Sequence, residues 1–264
     1  MGHEAERWAS RATQRRVLIV VHNATSAGRL LDVLPLLHDD FRLQLLVTST
    51  GSSAFQHGVG ELLAELGLPV LPWEQALATP VDLAVSASFG ATPLIQGKLS
   101  VISHGVGYTK KLGKPGAGGR EPAFGLSPEW LLEDGTPYVD GLVLSHPEQL
   151  ERLRRVCPEA VGVSVLAGDP CFDRMLAARP YRDRFRRTLG VRRGQRLVVL
   201  NSTWNPEGFF GSGGQDILPS LLPRLTAELP ADDYRLAVVL HPNIWYGHGP
   251  GRSAPGSTGP CAPG

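Results

Sequence analysis

Residues 16–28, RVLIVVHNATSAG, carry five consecutive aliphatic side chains into His-Asn and a string of small polar residues. An apolar run without alternation is the pattern of a strand covered on both faces, as in parallel sheets flanked by helices. The small polar residues that follow predict a turn. The same alternation continues outward. RLLDVLPLLHD (29–39) has helical spacing flawed by Pro35, FRLQLLVTS (41–49) reads as a second strand, and FQHGVGELLAELG (55–67) as a helix ending at Gly67. LPVLPW (68–73), VDLAVSAS (81–88), LSVIS (99–103) and DGLVLS (140–145) read as further strands. PEQLERLRRV (147–156) is a helix opened by Pro147, and VSVLAG (163–168) closes the series. Repeated β-then-α units predict an α/β fold with a parallel sheet between helices.

From residue 173 the character changes. DRMLAARPYRDRFRRTLGVRRGQR (173–196) is helical in pattern and holds nine arginines. LVVLNSTW (197–204), ILPSLLPRLTAEL (217–229) and YRLAVVLHP (234–242) then open a second Rossmann-like βαβ unit. Residues 247–264 hold six glycines and four prolines with no aliphatic side chain larger than alanine, too little apolar surface to offset the entropy of ordering. The expected organisation is a disordered N-terminus at 1–16, a Rossmann-like domain at 17–175 and a charged connector at 176–195. An incomplete second Rossmann-like domain at 196–246 and a disordered tail at 247–264 complete it. Truncation or a reading-frame change near Gly249 is the expected origin of that tail, with a natural flexible tail as the alternative.

Bulk properties narrow the function. A net charge of +1 over 264 residues provides no global field for duplex nucleic acid, so anion recognition must be local. Three separated cysteines, Cys157, Cys171 and Cys261, fit neither a disulfide framework nor a structural zinc site, and no metal is expected. The run at 17–21 is too short for a signal peptide or a membrane span, which points to a cytosolic protein. HExxH, GxSxG, GxGxxG and P-loop signatures are absent, disfavouring metalloproteases, esterases, nicotinamide dehydrogenases and P-loop enzymes.

The chemistry-bearing residues gather at predicted strand ends, where open α/β sheets bind ligands. His104 and Gly105 end the strand at 99–103, and Lys110 and Lys111 follow. An imidazole there is suited to take a hydroxyl proton near neutral pH, and the lysines to neutralise phosphate. The competing reading is a hydrogen-bonded histidine beside a basic turn. His241 and Pro242 fall just past the apolar run of YRLAVVLHP, and Ser202 and Thr203, at the end of the strand LVVLNSTW (197–204), can donate hydrogen bonds to phosphate oxygens. His22, Asn23, Thr25 and Ser26 line an acceptor side or serve only as loop polarity. Asp173 is expected to cap the following helix or to bind the arginines nearby, and His146 is assigned no role.

Taken in order, the strand-end His-Gly with its lysines, GDPCFD (168–173), the connector ending LGV, VVLNSTW and LHP resemble the CDP-glycerol:poly(glycerophosphate) glycerophosphotransferases of wall teichoic acid synthesis. The resemblance covers about residues 99–245, and the UDP-N-acetylglucosamine 2-epimerases are looser kin. It implies two Rossmann-like domains of GT-B type, the first on the acceptor side and the second holding the nucleotide donor. It also implies His104 as catalytic base, with His241 and Pro242 on the donor phosphate. In the family's Gly-x-Pro-Arg-x-Asp turn, Gly168, Pro170 and Asp173 match while Cys171 replaces arginine. In its Pro-Thr-Trp-Arg stretch, Ser202 and Asn205 replace proline and arginine around Thr203 and Trp204. The family's proline in the His-Gly loop is missing, Lys110 arrives one residue late, and its later Ser/Thr/Asp-rich segment would lie beyond residue 246.

The implied activity is transfer of glycerol phosphate, or a related group, from a CDP- or UDP-activated donor to a hydroxyl or polymer acceptor in cell-wall polymer synthesis. The implied setting is the cytoplasm at the inner face of the plasma membrane, without a tightly bound cofactor and without nucleic acid. A UDP-sugar glycosyltransferase or 2-epimerase on the same fold, and a non-catalytic remnant, stay open as alternatives. No oligomeric state is assigned.

Overall fold

The structure is a computed structural model that describes residues 13–53, 58–65, 67, 69–105, 107, 108, 123–202 and 217–241. It divides into two compact units, Met1–Arg174 and Met175–Gly264.

In the first unit seven strands form one parallel sheet: β1 (Arg15–Val21), β2 (Leu43–Ser49), β3 (Val70–Leu71), β4 (Leu83–Ser86), β5 (Lys98–Val101), β8 (Gly141–Leu144) and β9 (Ser164–Leu166). Their order is β3-β2-β1-β4-β5-β8-β9. A small antiparallel hairpin, β6 (Leu132–Glu133) with β7 (Thr136–Pro137), is inserted before β8. The chain winds outward from β1 to β3 and then returns to the other side of β1 with β4, the strand order of a Rossmann-like sheet.

The helices are α1 (Ala24–Val33), α2 (Val59–Glu65), α3 (Trp73–Leu77), α4 (Pro128–Leu131) and α5 (Pro147–Val156), and α6 (Pro170–Ala178) crosses the division between the units. Side-chain alternation explains the continuous apolar run of β1. Val17, Ile19 and Val21 enter an apolar layer with Ala27 and Leu30 of α1 and Val59 and Leu63 of α2. Leu18 and Val20 enter the opposite layer with Ala76 of α3 and Leu153 and Val156 of α5. Water meets neither face, so no position of 17–21 tolerates a polar side chain cheaply.

Several boundaries differ from expectation. β1 begins at Arg15, inside the segment expected to be disordered, because Asp82 accepts from the Arg15 guanidinium and the Arg16 amide. The stretch at 22–28 is a helix start rather than a turn: Asn23 and Ser26 form a reciprocal capping box, so α1 opens at Ala24. Pro35 lies in a 3₁₀ turn after that helix. The third strand is only two residues long, since Pro72 and Trp73 open α3. His146, given no role, N-caps α5 by accepting from the Glu148 amide.

In the second unit the expected connector is largely helical, with α7 at Arg182–Thr188. Its arginines satisfy backbone carbonyls: Arg186 donates to Gln195 O and Arg192 to Ala231 O. Gln195 ties the same region together, accepting from the Arg192 amide and donating to Ala231 O. β10 (Arg196–Asn201) and β11 (Tyr234–Val239) pair in parallel, joined through α8 (Ile217–Glu228). This two-stranded sheet leaves Val199 47% exposed, with Val238 and Val239 also exposed, unlike the enclosed sheet of the first unit. The tail at 247–264 and residues 1–12 lie outside the described residues.

Replacing Leu18, fully buried in β1, by alanine is expected to lower unfolding stability by about 3 kcal/mol in urea denaturation, from lost transfer energy plus a cavity. A loss below about 1 kcal/mol would contradict burial on a closed face.

Candidate functional site

β2 and β4 flank β1 on opposite edges, so the chain leaves the carboxyl ends of β1 and β4 in opposite directions, the kind of switch point at which open α/β sheets bind ligands. The residues that follow β1, β4 and β5 meet there. His22 leaves β1 almost fully enclosed, at 2% exposure. Its backbone N–H and that of Asn23 both donate to the Ser26 hydroxyl, at 3.0 Å each. Ser26 N–H in turn donates to Asn23 Oδ1 at 2.9 Å. Asn23 and Ser26 are thus engaged in starting α1. Asn23 Nδ2 also donates to Ser53 Oγ, and the buried Thr25 hydroxyl has no hydrogen-bond partner among the described residues.

Two imidazoles converge on the segment just past β4. His22 Nε2 lies 2.6 Å from Gly90 O, and His104 Nδ1 lies 3.2 Å from Ala87 O. A carbonyl only accepts, so the proton sits on Nε2 of His22 and on Nδ1 of His104. Neutral His104 therefore keeps its lone pair on Nε2, the form a general base requires. A Cβ at position 90 would fall 2.7 Å from Ser52 Oγ, which would have to turn away, and 3.4 Å from the His22 ring.

The His104 ring packs edge-on against Phe124, with centroids 6.1 Å apart, and Phe124 contacts Trp130 at 4.6 Å. Burial lowers the pKa of both imidazoles. For His22 the carbonyls of Gly90 and Val20 oppose the effect and His104 adds to it. For His104 the Ala87 carbonyl opposes it and the Arg29 charge adds to it.

The loop that carries His104 is held from two sides. Arg29 of α1 donates to Gly105 O at 2.8 Å and to Asp169 Oδ1 at 2.7 Å. At the far end Arg152 of α5 donates to Tyr108 O. Gly107 adopts a φ of +110°, and a Cβ at that position would lie 1.8 Å from Gln149 Nε2; only glycine lets the loop lie against α5 there. Asp169 also accepts from the Cys171 amide and starts α6. The capping role expected of Asp173 thus belongs to Asp169, four residues earlier. Pro170 and Asp173 occupy the first turn.

In the second unit, Ser202 and His241 come together past the ends of β10 and β11. The Ser202 amide donates to Val239 O at 2.9 Å, and Ser202 Oγ accepts from the His241 amide at 2.7 Å. Ser202 thus orients the backbone at His241 and keeps its own hydroxyl proton to donate. Lys110, Lys111, Thr203, Trp204, Asn205 and Pro242 lie outside the described residues. Among the described residues no three His, Cys, Asp or Glu side chains gather as a metal site, and no helix is long and apolar enough to cross a membrane. Arg29 and Asp169 were not found by sequence reasoning. The Asp in GDP before a helical pattern was the one local signal, and the arginine had none.

The unfolded chain titrates both histidines at their ordinary 6.5, and the folded protein at lower pH. Between those values the unfolded state binds more protons, so stability falls as pH drops through 6.5 and levels off below the folded values. The melting temperature is expected to fall between about pH 7.5 and about pH 5.5, with a shallower fall in His22→Asn. Identical slopes in both proteins would contradict the shift at His22.

No protein-family model matches the chain. One curated relative, the 4-diphosphocytidyl-2-C-methyl-D-erythritol kinase of Thiobacillus denitrificans, is 35% identical over 95 residues, or 34% of this chain and 33% of that protein. Among solved structures the chain is similar to the wall teichoic acid polymerase TagF, with a TM-score of 0.56 and 14% identity over 88% of this chain and 58% of that one. A histidine-to-asparagine variant of TagF soaked with CDPG gives a TM-score of 0.53 at 13% identity, covering 87% and 56%. The chain therefore spans under three fifths of the TagF chains it matches and a third of the kinase. At these identities the likeness to TagF is one of fold, and the proteins that the chain is similar to are enzymes.

Proposed function

We propose that this chain is a GT-B-type transferase that moves glycerol phosphate from a CDP-activated donor to a hydroxyl acceptor in the synthesis of a teichoic-acid-like cell-wall polymer. The observation that carries this reading is His104. It stands at the carboxyl edge of a parallel sheet, its Nδ1–H on the Ala87 carbonyl and its Nε2 lone pair unclaimed by that bond. Support comes from the TagF-like fold, from a TagF structure soaked with CDPG, and from the diphosphocytidyl group in the name of the matched kinase.

In this reading Nε2 of His104 takes the acceptor hydroxyl proton as the acceptor oxygen forms its bond to the glycerol-bearing phosphorus. The phosphorus–oxygen bond to CMP breaks, and CMP leaves with the electron pair. A low pKa keeps His104 unprotonated at neutral pH, ready to accept. His241, Ser202, Thr203 and the lysines Lys110 and Lys111 stabilise the charge that develops on the diphosphate. His22, Asn23, Thr25 and Ser26 border the acceptor side, where Asn23 and Ser26 act by building the start of α1.

Turnover of labelled CDP-glycerol with a glycerol-phosphate acceptor is expected to fall about 10²- to 10⁴-fold in His104→Ala. A fall is also expected in His241→Ala. Normal turnover in both variants would overturn the assignment. Tighter competition by UDP than by CDP would move the donor to a UDP-sugar. No melting shift with any nucleotide would leave an inactive remnant as the answer.

A further inference from the structure

Among the described residues, Arg29 is the one side chain that ties α1 to both the His104 loop and the start of α6. Its side chain is 14% exposed, and its two terminal nitrogens serve different partners: Nη1 the Asp169 carboxylate at 2.7 Å and Nη2 the Gly105 carbonyl at 2.8 Å. Asp169 is itself fixed, since the same Oδ1 accepts from the Cys171 amide at 3.0 Å. The planar fork of arginine can hold two acceptors in set directions, which an ammonium on a flexible stem cannot. Gly105 immediately follows His104, so holding its carbonyl anchors the chain one residue beyond the imidazole.

From this geometry we infer that Arg29 is a positioning residue, which holds the His104 loop in its working place by clamping Gly105 O against Asp169. The inference rests on the reading of His104 as the base. The charged and titratable groups that face His104 among the described residues are Arg29 from α1 and His22 from the end of β1. Asp169 bears on it through Arg29. The clamp therefore has a second effect: a cation beside His104 disfavours a second positive charge and keeps the imidazole neutral.

Two variants separate the effects, with the His104 ring-proton NMR titration read alongside kinetics on CDP-glycerol. Arg29→Met removes fork and charge. It is expected to lower kcat about 10-fold or more with donor KM little changed, a misplacement effect, and to raise the His104 midpoint toward 6.5. Arg29→Lys keeps the charge without the fork, so the midpoint stays at the parent value while kcat still falls. Parental kcat and midpoint in Arg29→Met would overturn the inference, as would a lowered melting temperature with both unchanged. Should Arg29→Met fail to fold, Arg29→Lys decides: lowered kcat at a parental midpoint supports the clamp, and unchanged kcat overturns it. The midpoint is read without turnover. Retained activity in His104→Ala would therefore sink the base assignment alone, leaving the charge effect of Arg29 to be judged by NMR.

Discussion

Val17, Ile19 and Val21 of β1 pack into one apolar layer, while Leu18 and Val20 pack into the other. With both faces closed, the strand's polar backbone can be satisfied only by neighbours within the sheet, and β2 and β4 pair with it in parallel on its two edges. Each such pairing needs a crossover connection, which places helices on both faces. It also brings the carboxyl ends of β1 and β4 side by side, where the chain departs in opposite directions. The place of that edge in the fold is thus a consequence of burying five aliphatic residues.

At the same edge the backbone sets the chemistry. The carbonyls of Ala87 and Gly90 are released from the ladder just beyond β4, and each takes a proton from one imidazole. One histidine is almost enclosed and serves the loop past β4. The other keeps the lone pair of its opposite nitrogen outside that bond. Burial holds both below their ordinary pKa, which favours the neutral imidazole at physiological pH. The charge that does stand nearby, Arg29, is held by Asp169 and Gly105 O and adds to that lowering at His104.

Much of this was readable from residues in order. Continuous aliphatic runs marked the strands, and the positions of His22, His104 and His241 just past them marked the edge of each sheet. What was missed shares one physical reason: partners far apart in sequence leave no local pattern. The pairs Arg29–Gly105 and Arg29–Asp169 span 76 and 140 residues. Boundaries failed where a polar side chain overrode the apolar pattern. Asn23 and Ser26 turned an expected loop into a helix start, and Asp169 took the cap expected of Asp173. In the arginine-rich stretch the sequence displays the charge but not the backbone acceptors that the arginines meet, Gln195 O and Ala231 O.

The account turns on which nitrogen of His104 carries the proton. Long-range ¹⁵N–¹H NMR of histidine-labelled protein at neutral pH reports this directly. The expected spectrum shows His104 as a neutral ring protonated at Nδ1, the nitrogen facing Ala87 O. A neutral ring protonated at Nε2, or a charged ring at that pH, would contradict the assignment of His104 as the base.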